Sequence, residues 1–265
     1  DPAWQNAVSS GLFVNTMTGL PVELSAQAKL LWDDQNLYVG FEFVDSDVWG
    51  TLEKHDDKLW TQEVAEVFLD PDGDGKTYVE LQVSPRNVTF DSWLPAYRQN
   101  DNAWDSGMET AVFVSGTLNQ REDRDTGWSA ELRIPLAAVK GRLESVKGVP
   151  PQVGTEWRAN FFRMDQANGK PQTASAWSPP LVGDFHALDK FGTLLFTDAE
   201  GKTPPVAAKP PEPAAPAPAP AAPPASAPAA PGAGPHKLNP LLEHSMKGDD
   251  SPAPAPAPSP PASAP

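Results

Sequence analysis

From Leu59 to Gly73 the chain reads Leu-Trp-Thr-Gln-Glu-Val-Ala-Glu-Val-Phe-Leu-Asp-Pro-Asp-Gly, joining Trp60, the carboxylate of Glu66 and an Asp-rich turn in one short stretch. A flat indole stacks on the C–H face of a sugar ring, and carboxylates or amides bond its hydroxyls, so these residue types point to carbohydrate recognition. A second tryptophan, Trp177, stands in Ser175-Ala-Trp-Ser-Pro-Pro180, where the prolines keep the chain out of a β-ladder. Two loop tryptophans can clamp a sugar ring between them. Asp70, Asp72 and Asp74 alternate around Gly73 and Gly75, a pattern that can turn carboxylates toward one hard cation, Ca2+ above all. A polar hairpin turn demands the same residues, and Leu81 at the twelfth position excludes an EF-hand.

These side chains must be positioned by strands. The chain from Ala26 to Phe196 alternates short period-2 segments with Gly, Pro, Asp and Asn clusters, which predicts strands at 26–32, 37–44, 64–70, 77–83, 88–91, 110–116, 128–134, 156–163 and 192–196. A short helical turn is expected at Pro135 to Lys140. The fold class that follows is all-β, an antiparallel, jelly-roll-like β-sandwich. In the strands at 64–70 and 77–83, Ala65, Val67, Leu69, Val79, Leu81 and Val83 are expected to face the core. Val64, Glu66, Phe68, Tyr78, Glu80 and Gln82 then form a polar, aromatic-flanked outer face. A hairpin closing across Asp70 and Lys76 sets Glu66 opposite Glu80 and Phe68 opposite Tyr78. Opposed carboxylates overlap the spacing of retaining glycosidases, but no further sign of a distinct acid and nucleophile accompanies them, so catalysis is not expected. The strands beginning at Trp128 and Trp157 offer Glu131, Arg133, Arg158 and Asn160 to a face.

Composition divides the chain. Of 32 prolines, 21 follow Lys202, so a folded domain at 1–199 and a disordered Pro/Ala-rich tail at 200–265 are expected, the tail acting as an extended spacer. An island at 236–246 carries Leu238, Leu241, Leu242 and Met246 at helix-like intervals, the pattern of a short motif for a protein partner. The net charge of -15 falls on the domain, which repels nucleic acid and anionic lipid and suits neutral sugars and divalent cations. With no cysteine there are no disulfides or thiolate metal sites, and no apolar run is long enough to span a membrane. A start at Asp1 is what a mature or trimmed product would show. The tail and the domain type together suggest an extracellular, periplasmic or cell-envelope location. His55, His186, His236 and His244 show no metal-ligand spacing, and His186 reads as a loop hydrogen-bonder.

The succession Leu31-Trp-Asp-Asp34, Leu37-Tyr-Val39, Leu59-Trp60, Glu66-Val-Phe-Leu-Asp70, Gly127-Trp-Ser-Ala-Glu131, Ile134-Pro135, Trp157-Arg-Ala-Asn160, Trp177 and Phe191-Gly192 resembles the family 9 carbohydrate-binding modules and their family 9-like relatives. The resemblance runs from about Ala26 to Phe196. It implies a non-catalytic β-sandwich that grips an oligo- or polysaccharide, typically at a chain end, between two tryptophans, and that often holds structural calcium. By position Trp60 and Trp177 match the tryptophan pair and Glu66 the hydroxyl-binding carboxylate; Gln82, Asn160 and Arg158 are further candidate contacts, placed by the strand faces and not by the family pattern. The family's arginine on the strand at 77–83 is missing, and Arg86, Arg158 or Arg163 would have to replace it. The alternatives are a structural or protein-interaction sandwich of this fold and, more remotely, a haem-binding electron-transfer subunit using Met108 or Met164.

Overall fold

A computed structural model of the chain describes residues 2–144 and 146–203; the expected tail from residue 204 onward, with its island, lies outside the described residues. In chain order the strands are β1 (Val8–Leu12), β2 (Val14–Asn15), β3 (Ala26–Trp32), β4 (Asn36–Val44), β5 (Val64–Asp70), β6 (Tyr78–Val83), β7 (Thr89–Leu94), β8 (Glu109–Ser115), β9 (Gly127–Pro135), β10 (Glu156–Asp165), β11 (Thr173–Ala176) and β12 (Gly192–Leu195). They build two sheets: a five-stranded one in the order β1-β3-β4-β9-β8, and a seven-stranded one in the order β2-β11-β10-β5-β6-β7, with β12 also pairing β10. Every paired strand runs antiparallel to its neighbour. The expected β-sandwich is therefore the fold, and the expected helical turn is α1 (Leu136–Val139).

All nine expected strands are present. The three additional ones, β1, β2 and β11, are short and lie at or beside sheet edges, and Val-Ser-Ser-Gly-Leu in β1 carries no apolar alternation. An edge strand is placed by its partner rather than by its own pattern, so such segments leave little signal. The sheets close on Val39, Phe41 and Phe43 of β4, Trp128, Ala130 and Leu132 of β9, Ala65, Val67 and Leu69 of β5, and Val79, Leu81 and Val83 of β6. The expected inward face of β5 and β6 is thus the observed one.

Two expectations about the other face require correction. The register of β5 and β6 sets Glu66 opposite Gln82 and Phe68 opposite Glu80, two residues away from the expected pairing. The cause lies in the turn: Asp70 Oδ2 accepts from Gly75 N at 3.0 Å, and Asp74 Oδ1 accepts from the amides of Lys76 and Thr77. Gly73 and Gly75 both take positive φ, so the connection is wider than a tight hairpin closing across Lys76. The face is also not solvent-facing, because Val64, Glu66, Phe68, Tyr78, Glu80 and Gln82 are all buried.

Candidate functional site on the outer face of the seven-stranded sheet

Across the outer face of this sheet the register lays out two rows. One runs Phe162, Glu66, Gln82, Phe90 and the next runs Asn160, Phe68, Glu80, Ser92, each across β10, β5, β6 and β7. Four polar residues, Glu66, Gln82, Glu80 and Ser92, form a patch between two apolar clusters. On one side Phe68, Tyr78, Leu94, Phe162, Leu188 and Phe191 pack together. On the other, Leu59, Val64 and Phe90 do so. Segments from the C-terminal part of the domain close over the first cluster: Phe185 stacks on Phe162 at 4.1 Å, and His186 and Phe191 meet Phe68 at 5.2 and 5.9 Å.

Over the second cluster lies the 3₁₀ turn Leu59–Thr61, which buries Leu59 and leaves Trp60 39% exposed. The Trp60 ring meets Phe90 edge-on at 5.3 Å, and Gln172 Nε2 donates to the carbonyls of Trp60 and Gln62, holding the turn down. Beneath, Gln82 Nε2 donates to Glu80 Oε1 at 2.6 Å. Glu66 Oε1 and Gln82 Oε1 are buried and have no hydrogen-bond partner among the described residues. Burial, followed by the neighbouring Glu80, pushes the Glu66 carboxyl well above the usual range, and burial pushes Glu80 up to about 7. At the edge of the patch Asn100 Nδ2 donates to Ser92 Oγ, whose hydroxyl donates to Asn102, and both asparagines are exposed.

The structure brings together Trp60, Glu66 and Gln82, and places the other expected residues elsewhere. Trp177 packs against the inter-sheet core, its ring 5.5 Å from Phe161. A Cβ on Gly192 would stand 2.5 Å from that indole, so glycine is what admits the ring there. Trp60 and Trp177 thus lie on opposite faces of one sheet, and the expected clamp does not form between them. The reason is parity: Trp177 continues β11 by one residue, with its amide bonded to Phe161 O, and so shares the inward orientation of Phe161. Asn160 is fully buried and spends its amide on the Ser178 backbone, donating at 2.7 Å and accepting at 3.0 Å, which makes it the anchor of the Trp177 loop. Arg158 donates to Thr193 Oγ1 and pairs in register with Asp70, at the acidic turn. His186 is the loop hydrogen-bonder expected of it, 2.7 Å from the Tyr78 hydroxyl, and burial lowers its pKa to about 4. Met108 packs on the inter-sheet core and Met164 on the outer cluster, so the two methionines do not share a pocket.

Carboxylate oxygens of Asp70, Asp72 and Asp74 lie within 4.8 Å of one another. Asp70 Oδ1 is buried without a partner among the described residues, and burial raises the Asp70 pKa to about 6. An all-oxygen donor set with an orphaned buried oxygen fits calcium, and these three side chains are the ones that would hold it. Phe90, Asn100 and Asn102 were not foreseen. Phe90 lies thirty residues after Trp60 in sequence, between Thr89 and Asp91, whose backbones bond His55 and Asp56, and the ring contact with Trp60 appears only in the folded chain.

The chain matches the family model for the carbohydrate family 9 binding domain-like family over residues 1–199, and it belongs to that family. Among curated relatives it is 27% identical over 180 residues to an extracellular protein of Arthroderma benhamiae, covering 63% of this chain and 77% of that one. It is 26% identical over 200 residues to endo-1,4-beta-xylanase A of Thermoanaerobacterium saccharolyticum, covering 74% of this chain but only 15% of the enzyme. Among solved structures, a family 9 carbohydrate-binding module from Caldicellulosiruptor kristjanssonii in complex with cellotriose superposes with a TM-score of 0.51 at 19% identity, covering 74% of this chain and 86% of that one. A structure from Bacteroides uniformis superposes with a TM-score of 0.58 at 15% identity, covering 72% and 87%. At these identities the structural likeness carries the fold.

Proposed function

We propose that the domain is a non-catalytic carbohydrate-binding module that takes a saccharide on the outer face of the seven-stranded sheet, with Trp60 stacking on a ring and Glu66 and Gln82 bonding hydroxyls. The observation that carries this reading is the pair of unpartnered buried oxygens, Glu66 Oε1 and Gln82 Oε1, on the face that Trp60 borders. Buried polar atoms are normally satisfied, and sugar hydroxyls are the donors such a site would receive. Membership of the family and the cellotriose complex of a fold relative support a β-glucan-like ligand. Non-catalysis is supported by membership of a family of carbohydrate-binding domains, and in the observed register Glu66 faces Gln82 and Phe68 faces Glu80, so the two carboxylates are not directly opposed. The extracellular relative supports export, and the acidic turn at Asp70 supports a structural calcium ion.

A glycan array followed by titration calorimetry on the preferred saccharide tests the reading. Trp60→Ala is expected to weaken binding about ten- to a hundred-fold, as loss of a large stacking side chain should. Glu66→Gln is expected to cost less than Glu66→Ala, since the amide still accepts one hydroxyl bond. No binding across the array would favour the structural or protein-interaction sandwich, a reading that the nearly complete burial of the floor residues otherwise supports.

A further inference from the structure

We infer that the saccharide taken on the outer face of the seven-stranded sheet is an amino sugar, a β-linked chain whose protonated amine sits against Glu66 and Gln82 beside Trp60. The inference rests on the saccharide-binding reading above and specifies the ligand within it. The kind of polar atom left open in the patch selects an amine over hydroxyls. Glu66 Oε1 and Gln82 Oε1 are both acceptors, both without a partner among the described residues, in side chains that belong to residues 1% and 0% exposed. The donors of the patch are already engaged: Gln82 Nε2 on Glu80 Oε1 at 2.6 Å, and Ser92 Oγ on Asn102 Oδ1 at 2.9 Å. A hydroxyl brings one donor together with two acceptor lone pairs, which would face acceptors here. An ammonium brings three donors and no acceptor.

The charge of the patch selects the same ligand. Glu66 and Glu80 are diagonal neighbours across β5 and β6, and the arginines that could neutralise them are committed elsewhere. Arg98 Nη2 donates to Asp184 at 2.6 Å and Arg86 Nη2 to Glu53 at 2.9 Å, while Arg158 bonds Thr193 and Arg163 bonds Asp45 and Asp165. Without a cation, burial and then the neighbouring Glu80 hold the Glu66 carboxyl in its protonated form well above the usual range. An ammonium beside it supplies the missing positive charge: Glu66 ionises, its proton leaves to solvent, and the bound pair is neutral. The exposed indole of Trp60 adds an aromatic face for a ring that carries a cation. The other titratable groups around the pair are Arg98 with its partner Asp184, and Tyr78 with His186, whose hydroxyl and imidazole lie 2.7 Å apart. Tyr78 is raised to about 12 and His186 lowered to about 4, so neither titrates near neutral pH. From β10 and β7 the flanking residues are Phe162, Phe90 and Ser92, which carry no charge.

Calorimetry on the full chain at about pH 6 and about 0.15 M NaCl compares the fully deacetylated β-1,4-glucosamine trimer with its N-acetylated form and with cellotriose. The glucosamine trimer is expected to bind about tenfold tighter, or more, than either uncharged trimer. Its binding is expected to release about one proton per site, read from the heats in two buffers of different ionisation enthalpy. Glu66→Gln keeps the shape of the side chain and removes the charge that the amine induces. It is expected to lower affinity for the glucosamine trimer about tenfold more than affinity for cellotriose, and to abolish the proton release. Glu80→Gln is the second variant should the first not fold, and is expected to reduce the preference for the amine. Cellotriose bound as tightly as the glucosamine trimer would overturn the proposal and leave the saccharide-binding reading standing, as would a preference without proton release in the wild type. An undiminished preference in a folded Glu66→Gln or Glu80→Gln variant would assign it to the net charge of -15 and overturn the proposal too. Failure of every trimer to bind the wild type would remove both the proposal and the reading beneath it.

Discussion

The outward faces of the two sheets are written with the same alternation and end in opposite environments. On the five-stranded sheet, Lys29 Nζ meets Glu42 at 2.9 Å with side chains 28% and 52% exposed, and Arg133 pairs with Glu109. Trp4 Nε1 donates to Glu131 at 2.7 Å above the same face. On the seven-stranded sheet the corresponding positions, Glu66, Glu80 and Gln82, are buried. The carboxyls respond accordingly: the hydrogen bond from Lys29 draws Glu42 below its usual range, while burial drives Glu66 and Glu80 above theirs. Alternation decides which side chains point away from the core. Whether that side meets water depends on the loops folded across it.

The largest expected effect tests how much the buried end of the sandwich around Arg163 differs from the open face. Arg163 is 2% exposed and holds Asp45, Asp165 and Val44 O together, so Arg163→Ala leaves buried carboxylates uncompensated. Loss of one partner from such a group costs about 3–5 kcal/mol. Urea unfolding in chelator measures it, and a loss under 1 kcal/mol would mean that this end is as wet as the five-stranded sheet's outer face.

The two tryptophans sharpen the contrast between a face and a core. Trp177→Ala opens a cavity against Phe161 over Gly192, and large-to-small changes of this kind cost about 2–4 kcal/mol. Trp60→Ala removes a ring already 39% exposed, so its stability loss is expected near 1 kcal/mol while saccharide affinity falls. Denaturant midpoints beside calorimetry separate the two roles. A Trp177→Ala variant that is as stable as wild type but does not bind would restore the clamp.

Much of the sandwich was legible because it rests on local pattern. Val67, Leu69, Val79 and Leu81 alternate strictly, and their inward face follows directly. Trp60, Glu66 and Gln82 were also legible as a group, because the first two are close in sequence and the third lies on the adjoining strand. The position of Trp177 was not, since one residue of parity at the end of β11 decides whether the ring enters the core. Nor was the cluster of Asp45, Glu63 and Asp165, whose members are far apart in sequence and meet only once the sheets pack. Glu63 lies in Thr-Gln-Glu-Val, a stretch that reads as a polar turn and gives no hint of full burial.

A smaller effect is expected from pH. Because the Glu66 and Glu80 carboxyls are raised in the folded state, the protein takes up protons on folding, and their contribution to stability is full below about pH 4.5. It declines as pH rises through about 7, the folded value of Glu80, and further where Glu66 ionises. His186 acts in the opposite sense, since its lowered pKa makes stability fall as pH drops from about 6.5 toward 4. His186 titrates in wild type and variant alike, so a comparison with Glu66→Gln isolates the raised carboxyl. Chelated wild type is expected to lose stability faster than Glu66→Gln as pH rises from about 4.5 toward 7, and parallel curves would show that the outer face is hydrated after all.

The smallest expected effect belongs to the open face. Lys29 and Glu42 lie on adjacent strands with Gln27 donating to the same carboxylate, a geometry that in the buried cluster would be strongly coupled. Here both side chains are solvated, the ion pair is screened by salt, and ordering a long lysine side chain opposes it. A double-mutant cycle of Lys29→Ala and Glu42→Ala is expected to give a coupling of about 0.2–1 kcal/mol at low salt, shrinking further at 0.5 M NaCl. A coupling above 2 kcal/mol that resisted salt would place this face, too, under a cover, and would remove the contrast that separates the two sheets.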